Sequence, residues 1–252
     1  MPTRDTAWTA GTPCWIDYSA ADLDAAKAFY AKLLGWSYTG GDPEFGGYLT
    51  CLAQERAAAG MAPRMDPSAA PSWTTYFATD DADASVARIT DAGGTVLAPP
   101  MDVGPMGRMA IAVDPQGQFF GLWQSAEHTG VTIYNEPGAL VWNEAAVEDV
   151  DGAKRFYGEV FGFGFDEVEG SGGYATFSNG EGPLGGLSSH QTGAPKGWSC
   201  CFSVASADDA VAVVQAHGGT VTMPAQDTPF GRFAVVGDPW GAAFSVMQDL
   251  SG

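Results

Sequence analysis

The chain repeats itself. Pro13-Cys14-Trp15-Ile16-Asp17 is answered by Leu140-Val141-Trp142-Asn143-Glu144, and Lys27-Ala28-Phe29-Tyr30 by Lys154-Arg155-Phe156-Tyr157. Further on, Gly46-Gly47-Tyr48 pairs with Gly172-Gly173-Tyr174, and Gly93-Gly94-Thr95-Val96 with Gly218-Gly219-Thr220-Val221. Gly107-Arg108 matches Gly231-Arg232, and Asp114-Pro115-Gln116-Gly117 matches Asp238-Pro239-Trp240-Gly241. A duplication of this kind sets the architecture before any single residue is read. It divides the chain into a first domain at 11–124, a linker at 125–137 and a second domain at 138–248, each long enough to bury a core. It also allows a site to be compared between two copies.

Each copy reads as many short strands and two helices. Val, Thr, Phe and Trp cluster in short runs broken by Gly and Pro, a strand signature. Leu23, Ala26, Phe29, Tyr30, Leu33 and Leu34 have helical spacing, with Ser19 or Asp22 as cap and Gly35 at the C-terminal end. A second helix is predicted over Ala82 to Ala92, ending at Gly93-Gly94, and its partner over Ala207 to His217. Asp114-Pro115-Gln116-Gly117 predicts a type I turn between Met109–Val113 and Phe119–Gln124. The order per copy is β-α-β-β-β, twice.

The chain carries a net charge of −19 over 252 residues, which excludes nucleic acid and anionic membranes as partners by repulsion. Hydrophobic residues at 45% and aromatic residues at 12% fit a folded globular protein. No apolar run approaches the length of a membrane span, and Met1 to Trp8 lack a signal-peptide core, so a cytoplasmic protein is expected. Cys14, Cys51, Cys200 and Cys201 have no CxxC spacing and are expected to be reduced, buried thiols. Adjacent Cys200 and Cys201 on one strand would face opposite sides.

With Asp24-x-x-Lys27-x-Phe29-Tyr30-x-x-Leu33-x-Gly35-Trp36, Gly93-Gly94-Thr95-Val96 and Asp114-Pro115-x-Gly117, and their matching second-copy equivalents, the chain resembles the vicinal-oxygen-chelate superfamily. That superfamily includes glyoxalase I, bleomycin-resistance proteins and extradiol dioxygenases. The Met-Gly-Arg loop, Asp-Pro-Gln-Gly and Gly-Leu-Trp-Gln narrow the likeness to a tandem subgroup often labelled hydroxylase or glyoxalase-like. The resemblance implies an α+β fold of four βαβββ units, forming two half-barrel-paired domains.

It also implies a divalent metal held by His or Glu on the strands. The residues at those positions do not suit one. They are Trp15, Thr74 (beside Trp73), Gly121 and the stretch Ala59 to Met61 in the first copy. In the second they are Trp142, Ser199 (beside Trp198), Ser245 and the stretch Gly185 to Leu187. Divalent metals need imidazole, carboxylate or thiolate donors in number. His128, His190 and His217 are scattered, with His217 placed as a partner of a helix C-terminus. Neither a metal nor any other cofactor is expected.

If position 15 faces the cavity, strand alternation turns Asp17 and Glu144 inward beside Trp15 and Trp142. A buried carboxylate needs a partner. Arg108 and Arg232 offer structural ion pairs; otherwise Asp17 and Glu144 are ligand anchors or general bases. Phe119, Gly121 and Trp123 share a face, and their counterparts Ala243, Ser245 and Met247 leave more room. With Tyr48, Tyr174, Trp73 and Trp198 they offer a slot for a flat aromatic ligand.

Three functions follow. The first is a metal-free protein that binds an aromatic or cationic metabolite or antibiotic, of the bleomycin-resistance type. The second is a hydroxylase-, dioxygenase- or lyase-type enzyme acting on an aromatic or polyketide-like metabolite, with Asp17 or Glu144 as base. The third is a metalloenzyme with relocated ligands such as Asp17, Glu144 and His190. A small-molecule ligand is the expected partner, for a monomer or homodimer.

Overall fold

The computed structural model describes residues 2–180, 182–190 and 196–249. The first repeat contributes β1 (Pro13–Ala20), α1 (Leu23–Leu34), β2 (Ser37–Gly40), β3 (Leu49–Ala53) and β4 (Arg56–Pro63). It continues with β5 (Ser72–Ala78), α2 (Ala82–Asp91), β6 (Thr95–Asp102), β7 (Gly107–Val113) and β8 (Phe119–Ser125). The second repeat supplies β9 (Leu140–Val147), α3 (Val150–Phe161), β10 (Gly164–Glu167), β11 (Ala175–Ser178) and β12 (Pro183–Ser189). Then follow β13 (Gly197–Ser203), α4 (Ala207–Ala216), β14 (Thr220–Thr228), β15 (Gly231–Gly237) and β16 (Ala243–Gln248). The predicted βαβββ order therefore holds four times.

Local chemistry sets the helix ends. The Asp22 side chain accepts from the Ala25 N–H at 3.0 Å, and Gly35 closes α1 with a left-handed φ of 72°. Asp149 and Gly162 do the same for α3. Ala26, Phe29, Tyr30 and Leu34 form the buried face of α1, and Ala153, Phe156, Tyr157 and Val160 that of α3.

Each repeat folds into one eight-stranded sheet, ordered β2-β3-β4-β1-β5-β8-β7-β6 and β10-β11-β12-β9-β13-β16-β15-β14. The centre of the first sheet combines a parallel pair, β1 with β4, and an antiparallel pair, β1 with β5. Asp17 consequently lies opposite Gly60 on one side and Thr74 on the other. In the second sheet Glu144 lies opposite Gly186 and Ser199.

The sheets belong to single repeats, but the helix-side cores do not. Phe29, Tyr30 and Trp36 share one core with Phe202, Val214 and Phe244 of the second repeat. Phe156, Tyr157 and Val160 share another with Phe77, Ile89 and Phe120 of the first. The apolar faces of α1 and α3 are completed by the opposite copy. A third cluster, with Trp15, Tyr76, Trp123 and Val131, forms within the first repeat and its linker.

The turns tie the halves together. Oδ1 of Asp114 accepts from the N–H groups of Gln116 and Gln118, both at 2.8 Å, leaving Oδ2 for the Tyr157 hydroxyl at 3.0 Å. Asp238 repeats the pattern: its Oδ2 accepts from Tyr30 at 3.0 Å and also from Tyr18.

Candidate functional site

In the first sheet, strand alternation brings Trp15 and Asp17 to the same face, as expected. The Trp15 indole N–H donates to Asp17 Oδ1 at 2.7 Å and to the Tyr48 hydroxyl at 2.9 Å. Tyr48 in turn donates to Asp17 Oδ1 at 2.6 Å, and the buried Tyr76, opposite Trp15 in the β1–β5 register, stands on the same face. Burial raises the Asp17 pKa from its ordinary value, and the hydrogen bonds from Tyr48 and Trp15 oppose the shift.

Backbone space makes this arrangement possible. A Cβ on Gly60 would lie 1.9 Å from Asp17 Oδ1 and 2.0 Å from the Tyr48 oxygen. A Cβ on Gly121 would lie 2.1 Å from the Tyr76 ring. Glycine on β4 and β8 therefore makes room for the carboxylate and the two phenols.

A cavity of about 780 Å³ opens from this cluster, lined by Asp17, Tyr48, Trp73, Tyr76, Met109 and Phe119. Its far wall comes from the second repeat, through Trp198, Ser199 and Ala243. Arg64 and Lys196 stand on its lining too, with Lys196 paired to Glu148 at 2.8 Å. That volume suits a drug-sized ligand.

The second sheet repeats the plan with different residues. Trp142 donates to the Tyr174 hydroxyl at 2.7 Å, and Tyr174 reaches Glu144 Oε2 at 3.4 Å. Burial raises the Glu144 pKa as well. Cys201 stands where the first sheet has Tyr76, and Ser245 where it has Gly121.

Several expected residues lie elsewhere. Arg108 pairs with Asp83 and Asp102, and Arg232 with Asp208 and Asp227. Neither arginine reaches Asp17 or Glu144, so the expected ion pairs with the inward carboxylates are corrected. Both guanidiniums sit on the edge hairpins, where acidic side chains are closer. Trp73 and Trp198 present a cavity edge, but their N–H groups donate inward to Tyr30 and Tyr157, at 3.2 and 2.8 Å. Trp123 is 6% exposed and donates to the His128 carbonyl at 2.8 Å.

Sequence reasoning missed Tyr76 and His128. Tyr76 shares the parity of Thr74 on β5, so the same alternation could have found it. His128 has no sequence signal. The linker carries it under the first sheet, where its ring meets Trp15 edge-on at 4.3 Å. Burial lowers its pKa to about 4. The other histidines stay apart: His190 is exposed, and His217 caps α4 with Nδ1 2.8 Å from the Val213 carbonyl. All four cysteines are free and buried.

Two curled sheets of βαβββ units around a strand-lined cup define a glyoxalase-type fold. The family model for the Glyoxalase/Bleomycin resistance protein/Dioxygenase superfamily matches residues 14–122 and 139–246, and the chain belongs to that superfamily. It is 40% identical over 258 residues to "Putative glyoxylase CFP32" of Mycobacterium tuberculosis, spanning 98% of both chains. It is 35% identical to the anthracycline biosynthesis protein DnrV of Streptomyces peucetius, covering 96% of this chain and 95% of that one. Among solved structures, the Mn(II)-bound glyoxalase of Novosphingobium aromaticivorans aligns with a TM-score of 0.68 at 18% identity, over 96% of this chain and 83% of the other. The 2,3-dioxygenase LapB of Pseudomonas sp. KL28 aligns at 0.66 and 15%, over 97% and 93%. These last two likenesses show the fold alone.

The residues do not fit the metal this superfamily implies. Asp17 is surrounded by an indole and phenols, and Glu144 by a phenol, a thiol and Ser199. Among the described residues no group of three His, Cys, Asp or Glu side chains could hold an ion. No helix among them is long and apolar enough to cross a membrane.

Proposed function

We propose that this protein binds a flat, conjugated small molecule of the aromatic polyketide type in its first cup, without a metal ion. The observation that carries this reading is the first cavity itself. Asp17 sits at its base, held by Trp15 and Tyr48, with Tyr76, Met109 and Phe119 along the walls. Aromatic and thioether walls favour a planar ligand by stacking and area burial. The carboxyl and two phenols fix its polar edge. The likeness to an anthracycline biosynthesis protein supports a polycyclic aromatic ligand. The charge of −19 favours cationic forms of such a ligand over anionic ones.

An enzymatic reading has a specific observation in its favour. Asp17 is a carboxyl with a raised pKa inside a ligand-sized cavity, a fit for a general base acting on an aromatic or polyketide-like metabolite. This would make the protein a hydroxylase-, dioxygenase- or lyase-type member of its superfamily.

Trp fluorescence titration with a planar hydroxyanthraquinone, with and without chelator, tests the first reading. Saturable quenching indifferent to chelator, and weakened at least tenfold by Asp17→Asn, supports it. Absence of binding overturns it. Conversion of the bound compound, followed by mass spectrometry and lost in Asp17→Asn, establishes the second.

A further inference from the structure

The chain carries 11 basic residues against 30 acidic ones, yet the lining of the first cavity holds two of each. The carboxylates are Asp17, at the base, and Asp66; the cations are Arg64 and Lys196. Neither carboxylate pairs with them. Burial disfavours charge on Asp17. Asp66 turns to its own loop, where Oδ1 accepts from the Ser68 N–H at 2.8 Å and from the Ser68 hydroxyl at 2.7 Å.

Arg64 is held in place but not neutralised. Its backbone N–H donates to the Ala20 carbonyl at 2.9 Å, and its Nη1 donates to the Ala69 carbonyl at 2.7 Å. These bonds fix the guanidinium on the β4–β5 loop. Among the described residues no carboxylate forms an ion pair with it. Lys196 reaches the lining from the opposite repeat, and its 2.8 Å pair with Glu148 is a surface contact that exchanges at little cost.

The repeat shows that this pair of cations belongs to the first cavity. Ala20 meets Pro63 and Val147 meets Ser189 in the strand registers, so the counterpart of Arg64 is His190, which is exposed. Ser19 meets Ser72 and Ala146 meets Gly197, so the counterpart of Lys196 is Pro71. The cations also stand away from the base. Asp17 lies opposite Gly60, and Arg64 follows four residues later, about 13 Å along extended chain.

We infer that Arg64 and Lys196 form a carboxylate-binding subsite at the mouth of the first cavity. The planar ligand is then an aromatic acid, with its hydroxyl edge on Asp17 and its carboxylate at the opposite end. This rests on the proposed binding of a planar aromatic compound there. A guanidinium offers a carboxylate two parallel N–H donors, and the ammonium adds a point charge. The net charge of −19 slows the encounter with an anion and is screened by salt, whereas the lining acts at contact distance.

The test titrates the full chain, by Trp fluorescence at neutral pH and physiological salt, with three probes. They are a planar dihydroxyanthraquinone carboxylic acid, its methyl ester and the parent dihydroxyanthraquinone. The acid is expected to bind at least about fivefold more tightly than the ester. Arg64→Gln should abolish that advantage, and Lys196→Gln should reduce it. Arg155→Gln removes an exposed guanidinium on α3, changes the overall charge equally, and should leave the advantage intact. An ester as tight as the acid, an advantage that survives Arg64→Gln, or an equal loss in Arg155→Gln would overturn the inference. If neither the parent nor the ester binds, the planar-ligand reading fails and the subsite with it. Parent binding without preference for the acid removes the subsite alone.

Discussion

The hydroxyl of Tyr157, on a helix of the second repeat, donates at 3.0 Å to Asp114, in a turn of the first. Tyr30 and Asp238 make the reciprocal bond at the same distance. The Asp-Pro turns thus close their own hairpins with one carboxylate oxygen and clasp the opposite repeat with the other. The clasp keeps the helix-side cores closed, and those cores seat the strands that carry Asp17 and Glu144.

The two clasps should differ in strength. Asp238 Oδ2 also accepts from Tyr18, whereas the corresponding residue of the second repeat is Ala145. Tyr157→Phe leaves Asp114 Oδ2 without its phenol and should cost about 1–3 kcal/mol. Tyr30→Phe should cost less, because Tyr18 remains. Urea unfolding of both variants measures this, and equal losses would show that Tyr18 contributes nothing.

Glycine on the central strands offers a way to close each cup separately. Gly60→Ala would drive a Cβ into Asp17 and Tyr48, and Gly186→Ala would place one 2.0 Å from the Tyr174 oxygen. Gly60→Ala should abolish binding of a planar hydroxyanthraquinone, whereas Gly186→Ala, on the other sheet, should leave it intact. Titration of both variants with that compound checks the assignment.

Acidification should act on two groups with opposite signs. His128 has its pKa lowered to about 4 by burial, so folding favours its neutral form. Its contribution is complete above the unfolded value of about 6.5 and is lost as pH falls through about 4. Asp17 and Glu144 are raised by burial, so each favours folding below the ordinary carboxylate pKa. That contribution is lost as pH rises through the folded value. His128→Phe should flatten the acid limb of a melting-temperature profile. Asp17→Asn with Glu144→Gln should flatten the decline above the ordinary carboxylate range. Profiles identical to wild type would show that these groups do not titrate on folding.

Much of this was legible in the sequence. The duplication, the Gly35 helix end and the Asp-Pro turns are local signals, and each formed as read; of the two cap candidates, Ser19 lies within β1 and Asp22 caps α1. Alternation from Trp15 correctly turned Asp17 into the first cup. What the sequence did not reveal depends on distant partners. Helical spacing marks Phe29 and Tyr30 as buried, but not that Phe244 of the other repeat covers them. Arg108 and Arg232 share a conspicuous motif, yet Asp83 and Asp208 on the neighbouring helices are nearer than the cups. The match of Tyr76 to Gly121 is an exchange of volume between two strands, visible only once β5 and β8 lie side by side. His128 reaches Trp15 through the path of the linker, which no periodicity encodes.

Calorimetric titration of the untagged protein with a planar hydroxyanthraquinone, in buffer with and without chelator, tests the central claim most directly. One saturable isotherm is expected, unchanged by chelator, weakened at least tenfold in Asp17→Asn and absent in Gly60→Ala. An isotherm that vanishes with chelator and returns with added divalent metal, or one that Gly60→Ala leaves intact, would contradict it.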